Sequence, residues 1–356
     1  MGPTHRGYPP DARKGAHMSV TTPFTTRYAV THPFAQAGMA FVSETPDLAI
    51  AVTNAGGIGA IGVGFLPPEQ LREVIRTVRD VVGDKPFDVN FITFFGNEEQ
   101  VKVAAEERVP VASFHWGHPP ADQIQLLQDA GVSLWEQVGD VESARRAVDD
   151  GFDAVVAQGW EAGGHNYGGL PTFVLVPEIR DAIGDDVLLL ASGGVVDGRS
   201  VAAALCLGAD AVWVGTRLIA TPEANTHPEH IRRIIEAVGA DTVRSAIFGP
   251  EWPMFNPMRL HRNRVVAEWT DRLAEVPTER EGLEVIGHTT FLGQPHVKHK
   301  FDVILPTEAT TGDFEEMAWL MGQGVGRVRE QQPAGDVVAS MMSDAEAILQ
   351  RVGQAG

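Results

Sequence analysis

The chain has 356 residues, of which 44% are hydrophobic and 21% are charged, a length and composition that suit one large α/β barrel or two ordinary domains. A single cysteine, Cys206, excludes a disulfide framework and a cysteine-based zinc site. The sequence has no run of about 18 apolar residues, which excludes a transmembrane helix. The formal net charge of −19, from 47 acidic and 28 basic residues, excludes nucleic acid and anionic membranes as partners.

The N-terminal segment is polar, rich in Pro and Gly, and without an apolar core. We interpret residues 1–20 as a disordered extension or a remnant of cloning rather than as a signal peptide, with Met18 as the natural start. We therefore expect a cytoplasmic protein.

From residue 31 onward, short apolar segments alternate with amphipathic ones such as 67–82, where Leu71, Ile75 and Val78 share one face. Eight strand-then-helix units predict a (β/α)8 TIM barrel over residues 21–225, because sequential parallel strands need helical crossovers. A doubly wound sheet is the alternative, because periodicity does not give the strand order. The predicted strands are 34–36, 58–61, 87–92, 109–114, 132–138, 154–158, 187–191 and 211–214.

The alternation ends after residue 225. We expect residues 226–311 to form a smaller, mostly helical cap or lid beside the barrel mouth, with helices over 227–238 and 262–273 around an aromatic, Pro-rich segment, 248–259. Residues 312–356 are predicted to form two further helices, 314–330 and 335–351, that pack back on the barrel.

Two glycine-containing turns follow the last two predicted barrel strands. Ser192, Gly193 and Gly194 follow the seventh strand, and Gly215 and Thr216 follow the eighth. Glycines let backbone N–H groups approach an anion closely, and the helix that follows adds its positive end. A single turn of this kind often only reverses the chain. Two of them on adjacent strands favour a phosphate site.

Another glycine-rich segment, 56–62, looks at first like a dinucleotide-binding fingerprint. Such a fingerprint follows a strand and opens a helix. Here the glycines follow an amphipathic stretch and open a strand. We therefore interpret them as a helix stop and a tight turn.

His165 follows two glycines in the loop after the sixth predicted strand, near Gln158. An imidazole titrates near neutrality, so it can accept a proton from a carbon acid. A lone histidine is more often a surface residue, but its place at a strand end favours a catalytic base. His115 and His118 are weaker candidates. The 12 histidines show no metal-ligand spacing, so no metal is expected.

Amide side chains and apolar side chains also lie at predicted strand ends. Asn90 and Gln158 can pair with the edge of a heterocycle, and Met39, Phe94 and Phe95 can line a flat ring or belong to the core. A phosphate site, an amide edge and an apolar wall together fit a phosphorylated flat cofactor, of which FMN is the obvious one.

Five segments carry a resemblance to a known family. They are AQAGMAFVSETPDLAIAVTNAGGIGAIG (35–62), the strand-end Asn90, AQGWEAGGH (157–165), ASGGV (191–195) and GADAVWVGTRL (208–218). The chain resembles the nitronate monooxygenases, FMN-dependent (β/α)8 enzymes similar to the flavin-dependent enoyl-acyl carrier protein reductases. The resemblance spans residues 31–222 and resumes near 321–324.

The resemblance implies a role for each matching residue. His165 matches the family's catalytic base, and Asn90 and Gln158 would bind flavin or ribityl groups. The backbone of Ala37, Gly38 and Met39 would lie beside the isoalloxazine ring. The residues expected to hold the phosphate are Gly163, Gly164, Ser192, Gly193, Gly194, Gly215 and Thr216.

The sequence departs from the family where the substrate is expected. The family usually has Pro at position 38 and a small residue at position 41, where this chain has Gly38 and Phe41. The segments 94–95 and 166–167 are also unusual. These positions border the side of the site where the substrate is expected, not the side where the cofactor is expected.

The sequence therefore predicts a flavoenzyme that oxidises a small carbon acid, a nitronate or nitroalkane, with O2 as the second substrate. The alternative is an NAD(P)H-dependent flavin reductase of enoyl thioesters or quinones. A hypothesis of another class is a non-catalytic flavin-binding partner protein. A monomer or a homodimer is expected.

Overall fold

The computed structural model describes residues 20–279 and 281–354, so the predicted N-terminal extension lies almost wholly outside the described residues. Eight parallel strands form one sheet in the order β1-β9-β8-β6-β5-β4-β3-β2. A parallel bridge between Ala35 and Ile58 joins the two outer strands, so the sheet closes into a barrel. The predicted TIM barrel is confirmed, and the doubly wound sheet, which would leave two free edges, was the wrong alternative. The barrel strands are β1 (Phe34–Gln36), β2 (Gly59–Gly62), β3 (Phe87–Ile92), β4 (Val111–His115), β5 (Ser133–Val138), β6 (Ala154–Gln158), β8 (Leu188–Ser192) and β9 (Ala211–Val214).

The helices cover the outside of the barrel. In α3, Leu71, Ile75 and Val78 are buried, as their spacing predicts, and they belong to one core cluster with Phe87 and Val89 of β3. Burial of this stripe against the sheet is the main reason why these amphipathic segments are helical. The helices are α1 (Pro23–Tyr28), α2 (Pro46–Asn54), α3 (Pro68–Val82), α4 (Glu98–Glu106), α5 (Ala121–Asp129), α6 (Val141–Asp149), α7 (Thr172–Ile183), α8 (Gly198–Cys206), α9 (Thr216–Ile219), α10 (Pro228–Glu236), α11 (Arg264–Trp269) and α12 (Ala334–Gly353).

Helix α1 closes the end of the barrel at which the strands begin. Phe24 is fully buried and its ring centroid lies 5.8 Å from that of Trp135. The Trp135 Nε1–H donates a hydrogen bond of 2.7 Å to the Tyr28 hydroxyl. Trp213 packs edge-on against Trp135, so aromatic side chains fill this end. The opposite end, where the strands finish, is left to form the cavity described below.

The glycine-rich segment 56–62 lies where the interpretation as a turn placed it. Helix α2 ends at Asn54 and strand β2 begins at Gly59, so the glycines connect a helix to a strand. Gly56 has a φ of +94°, a conformation that glycine adopts without steric cost. The rejection of a dinucleotide fingerprint is confirmed.

The two helices predicted in residues 226–311 are present, as α10 and as α11 with the 3-10 turn Thr270–Glu275 that follows it. The region is not mostly helical, however, because strands lie between and after these helices. Two three-stranded antiparallel sheets include strands of this region. The strands of these two sheets are β7 (Gly164–His165), β10 (Thr242–Ser245), β11 (Met258–His261), β12 (Val285–Phe291), β13 (Gln294–His299) and β14 (Thr311–Gly312).

The predicted helix over 314–330 is also wrong. The segment forms two short 3-10 turns, Phe314–Glu316 and Gln323–Arg327, joined by extended chain. Gly322, Gly324 and Gly326 disfavour a helix and allow close approach to the barrel loops. The last predicted helix is confirmed as α12, which packs against α8 and α2. Among the described helices, none is long and apolar enough to cross a bilayer.

Candidate active site

A cavity of about 1320 Å³, open solvent at its mouth included, lies where the barrel strands end. Strand ends, βα loops and the region after residue 225 all contribute to its lining. The structure brings together all the residues for which the sequence predicted a site role, and each of them lines this cavity. They are Ala37, Gly38, Met39, Asn90, Gln158, Gly163, Gly164, His165, Ser192, Gly193, Gly194, Gly215 and Thr216.

The turn after β8 has two glycines in left-handed conformations whose N–H groups are free among the described residues. Gly193 and Gly194 have φ values of +103° and +71°. Within the described part of the chain, their N–H groups donate no hydrogen bond. The Thr172 hydroxyl lies 3.1 Å from the Ser192 carbonyl oxygen and 3.0 Å from that of Gly193, and it holds the turn in place. The turn therefore offers two unused donors to the cavity.

The helix that follows this turn does not add a free positive end. Asp197 caps α8 and accepts a hydrogen bond of 3.1 Å from the Ser200 N–H. The Val196 N–H is taken by the Ser200 hydroxyl at 2.9 Å. The Asp197 carboxylate therefore already interacts with the positive end of α8, and the phosphate site expected at this turn depends on the N–H groups of Gly193 and Gly194.

The segment around Gly322 packs over the glycine turns. The sequence analysis did not predict this contact. The Gly322 N–H donates a hydrogen bond of 2.9 Å to the Thr216 hydroxyl. A Cβ on Gly163 would lie 2.5 Å from the Gly322 nitrogen, so the two backbones meet with no room for a side chain. The only signal in the sequence was the short return of the family resemblance at 321–324.

A buried series of hydrogen bonds through Ser113 and Asp88 holds the amide of Asn90 in place. Its Nδ2 donates to the Ser113 hydroxyl at 2.8 Å, and that hydroxyl donates to Asp88 Oδ2 at 2.6 Å. A Cβ on Gly38 would lie 2.2 Å from the Asn90 side chain. In this chain a side chain at position 38 would therefore collide with Asn90 in its present position.

Gln158 and His165 each leave one buried polar atom free toward the cavity. Gln158 Nε2 donates to the His165 carbonyl oxygen at 3.0 Å. Among the described residues, Gln158 Oε1 and His165 Nε2 have no hydrogen-bond partner. Buried polar atoms in native proteins are nearly always paired, so these two atoms of the cavity lining are available to hydrogen-bond a ligand.

Strand β7 holds His165 at the cavity by pairing with β11, where Met258 lies opposite the histidine. The His165 ring stacks on the Phe255 ring, with ring centroids 3.7 Å apart and an angle of 27° between the ring planes. Burial, and to a lesser extent the neighbouring His115, lowers the pKa of His165 to about 3. The imidazole is therefore neutral at pH 7 and has a nitrogen free to accept a proton.

The weaker sequence candidates divide between the cavity and its surroundings. His115 lines the cavity, and its Nδ1 lies 2.8 Å from Gln137 Nε2. His118 lies outside the lining and contacts Glu136 at 2.7 Å. Phe95 lines the cavity, whereas Phe94 stacks on Phe255 behind it.

Several lining residues come from segments for which the sequence predicted no site role. They belong to the aromatic, Pro-rich segment 248–259 and to the chain before and after 3-10 turn Phe314–Glu316. The density of aromatic residues and prolines in 248–259 is a signal that could have located the lining residues of that segment. These residues are Trp252, Phe255, Val303, Leu305 and Leu320.

Comparison with known proteins gives matches over most of the chain. The family model described as nitronate monooxygenase matches residues 22–96 and 91–344. The nitronate monooxygenase of Pseudomonas aeruginosa is 34% identical, with 91% of this chain and 99% of that protein covered. The structure of FabK from Thermotoga maritima has a TM-score of 0.77 at 31% identity, over 95% of this chain and 100% of that one. The structure of nitroalkane oxidase from Streptomyces ansochromogenes has a TM-score of 0.73 at 26% identity, over 92% and 99%.

The buried carboxyl below Asn90 makes a testable contribution to stability. Burial raises the pKa of Asp88 to about 8, whereas an unfolded aspartate titrates at about 3.9. Between these values the folded chain keeps a proton that the unfolded chain releases, so the group destabilises the fold progressively as pH rises. Asparagine at this position cannot ionise. The difference in Tm between Asp88→Asn and the wild type is therefore expected to shift in favour of the variant as the pH is raised from 5 to 8.5, as measured in thermal melts.

The matched control is Asp84→Asn, which changes an exposed aspartate just before strand β3. Its Tm difference from the wild type is expected to stay constant over the same pH range. A constant difference for Asp88→Asn as well would show that Asp88 is ionised in the folded protein.

Proposed function

The chain belongs to the nitronate monooxygenase family, and on that premise we propose that it is an FMN-dependent oxidoreductase that oxidises nitroalkanes and nitronates with O2. The observation that carries the proposal is His165, whose unpaired Nε2 lines the same cavity as the glycine turns. A base beside a site for a phosphorylated ring is the arrangement that oxidation of a carbon acid needs.

The residues present fit FMN. Gly193 and Gly194 would donate their free N–H groups to the phosphate, and the close contact between Gly163 and Gly322 would shape that end of the site. The buried, unpaired Gln158 Oε1 would accept a hydrogen bond from the ribityl chain or the ring. When bound, FMN supplies a two-electron acceptor that can pass the electrons to O2.

His165 would take the α-proton of a neutral nitroalkane at Nε2. The C–H bond breaks, its electron pair moves into the nitro group to give the nitronate, and the proton stays on the imidazole. A pKa of about 3 in the free protein is low for a base. The nitronate anion would raise it once formed, because opposite charges attract strongly in a buried cavity.

His165→Ala tests this role. The variant is expected to keep bound FMN but to lose turnover of neutral nitroalkane by about 10²- to 10⁴-fold, the usual share of a general base. Preformed nitronate should still react, since its proton is already gone. O2 consumption with each substrate measures both effects, and His288→Ala, an exposed histidine, is the control.

Equal turnover of neutral nitroalkane by the wild type and by His165→Ala would remove the proposed base. Bound flavin that neither nitroalkane nor nitronate reduces in the wild type would instead favour the non-catalytic binding protein.

Gly163→Ala tests the cofactor site. The added methyl group would meet the Gly322 nitrogen at 2.5 Å and push the two backbones apart. Overpacking of this kind costs about 1–3 kcal/mol, so FMN affinity is expected to fall at least about fivefold. Flavin content and quenching of FMN fluorescence give the measurement.

Gly169→Ala is the matched control, because a Cβ at this exposed glycine has no heavy atom within 4 Å. It should bind FMN like the wild type. Unchanged FMN affinity in Gly163→Ala would place the phosphate elsewhere in the cavity.

The structural likeness to FabK favours a second candidate, an NAD(P)H-dependent flavin reductase of enoyl thioesters or quinones. Against it, no Lys or Arg of the described residues lines the cavity to meet the pyrophosphate of NAD(P)H. Anaerobic mixing separates the candidates. Rapid bleaching of the flavin by NADPH or NADH, without a nitro compound, would identify the reductase, whereas bleaching only by nitroalkane or nitronate is expected.

A further inference from the structure

A continuous row of aromatic rings leads away from His165 along the cavity. We call Phe41, Phe65, Phe95, Trp252 and Phe255 the aromatic wall, and all five line the cavity. Phe255 stacks on His165, and its ring centroid lies 5.1 Å from that of Phe95. Phe95 is 4.6 Å from Phe65, which is 6.0 Å from Phe41. The wall therefore gives apolar surface from the proposed base to the far end of the cavity.

The cavity offers no charged partner to a ligand. No Asp, Glu, Lys or Arg belongs to its lining within the described ranges. Burial lowers the pKa of the three lining histidines, to about 4 for His115 and His230 and to about 3 for His165, so all three are neutral at pH 7. A charged tail on a substrate would lose its hydration here without gaining an ion pair.

Phe41 closes the far end of the aromatic wall. Phe41 also lines a second pocket, of about 770 Å³ with open solvent included, whose lining mixes apolar residues such as Phe291 and Leu292 with Glu44 and Glu308. The backbone φ of Phe41 is +68°, which is rare for a bulky residue. The Asn225 Nδ2 donates to the Phe41 carbonyl oxygen at 2.9 Å and helps to hold this conformation. The ring therefore lies at the border between the two spaces.

We propose that the natural substrate is an uncharged carbon acid with a large apolar tail, a long alkyl or an aryl group, and that Phe41 determines how long this tail can be. The tail lies along the aromatic wall while its acidic C–H faces His165. The proposal rests on the proposed function for the reacting group only. The tail's chemistry follows from the lining itself.

A chain-length series tests the substrate class. With the flavin-loaded protein, kcat/KM for 1-nitroalkanes from nitroethane to 1-nitrooctane is expected to rise about fourfold per methylene, the factor for burying one CH₂, until the tail reaches Phe41. 3-Nitropropionate, which carries a carboxylate, should be at least about tenfold poorer than 1-nitrobutane. A flat series, or a preference for 3-nitropropionate, would overturn the proposal.

Phe41→Ala should join the two spaces and move the optimum of the series to longer tails. Phe41→Leu, which keeps most of the packing, should move it less, and it preserves the test if the alanine variant does not fold. The matched control is Phe173→Ala, a phenylalanine on α7 that is 68% exposed and outside the lining. An unchanged optimum in both Phe41 variants would show that this ring does not set the length.

Binding without chemistry separates this proposal from the proposed function. Calorimetry with the same protein would compare 1-butanol, 1-hexanol and hexanoate, which have no acidic C–H to react. The alcohols should bind more tightly with length, and hexanoate at least about tenfold more weakly than 1-hexanol. If this holds while no nitro compound is oxidised, the proposed function fails and the tail chemistry stands. If hexanoate binds as well as 1-hexanol, the tail chemistry fails whatever the turnover.

Discussion

Closure of the eight-stranded sheet is the constraint on which the rest of the structure depends. The Ile58 N–H donates to the Phe34 carbonyl oxygen at 2.9 Å, and the Gln36 N–H donates to the Ile58 carbonyl oxygen at 2.8 Å. These bonds join the first two strands of the barrel, so the ends of all eight strands face one cavity. Residues as far apart in sequence as Asn90 and Thr216 line one cavity only because the ring is complete.

The charge of the cavity lining differs from that of the chain as a whole. The chain carries a formal charge of −19, yet among the described residues no charged side chain lines the cavity. Burial keeps His165 neutral, and the Asp88 carboxyl below Asn90 is protonated at neutral pH for the same reason. In such a medium opposite charges attract strongly, so in the proposed proton transfer the substrate anion and the imidazolium would stabilise each other.

Close backbone contacts shape the end of the cavity that the glycine turns form, and they explain the glycines found there. Gly163 lies against Gly322, and the Gly322 N–H donates to the Thr216 hydroxyl. A side chain on either glycine would separate the C-terminal segment from the barrel loops. Gly38 likewise leaves room for the Asn90 side chain.

Local sequence patterns were sufficient to predict the barrel and the cavity residues at its strand ends, because a period of two or of 3.6 residues is a local property. Strands β1, β3, β6 and β9 begin and end at the residues that the pattern indicated. The same patterns did not predict the strands after residue 225 or the 3-10 turns after residue 313, whose conformation depends on partners distant in sequence. The stacking of Phe255 on His165, the contact of Gly322 with Gly163 and the position of Phe41 at the end of the aromatic wall are known from the folded structure alone. Each of these contacts joins segments whose separation along the chain carries no periodic signal, so packing alone brings them together.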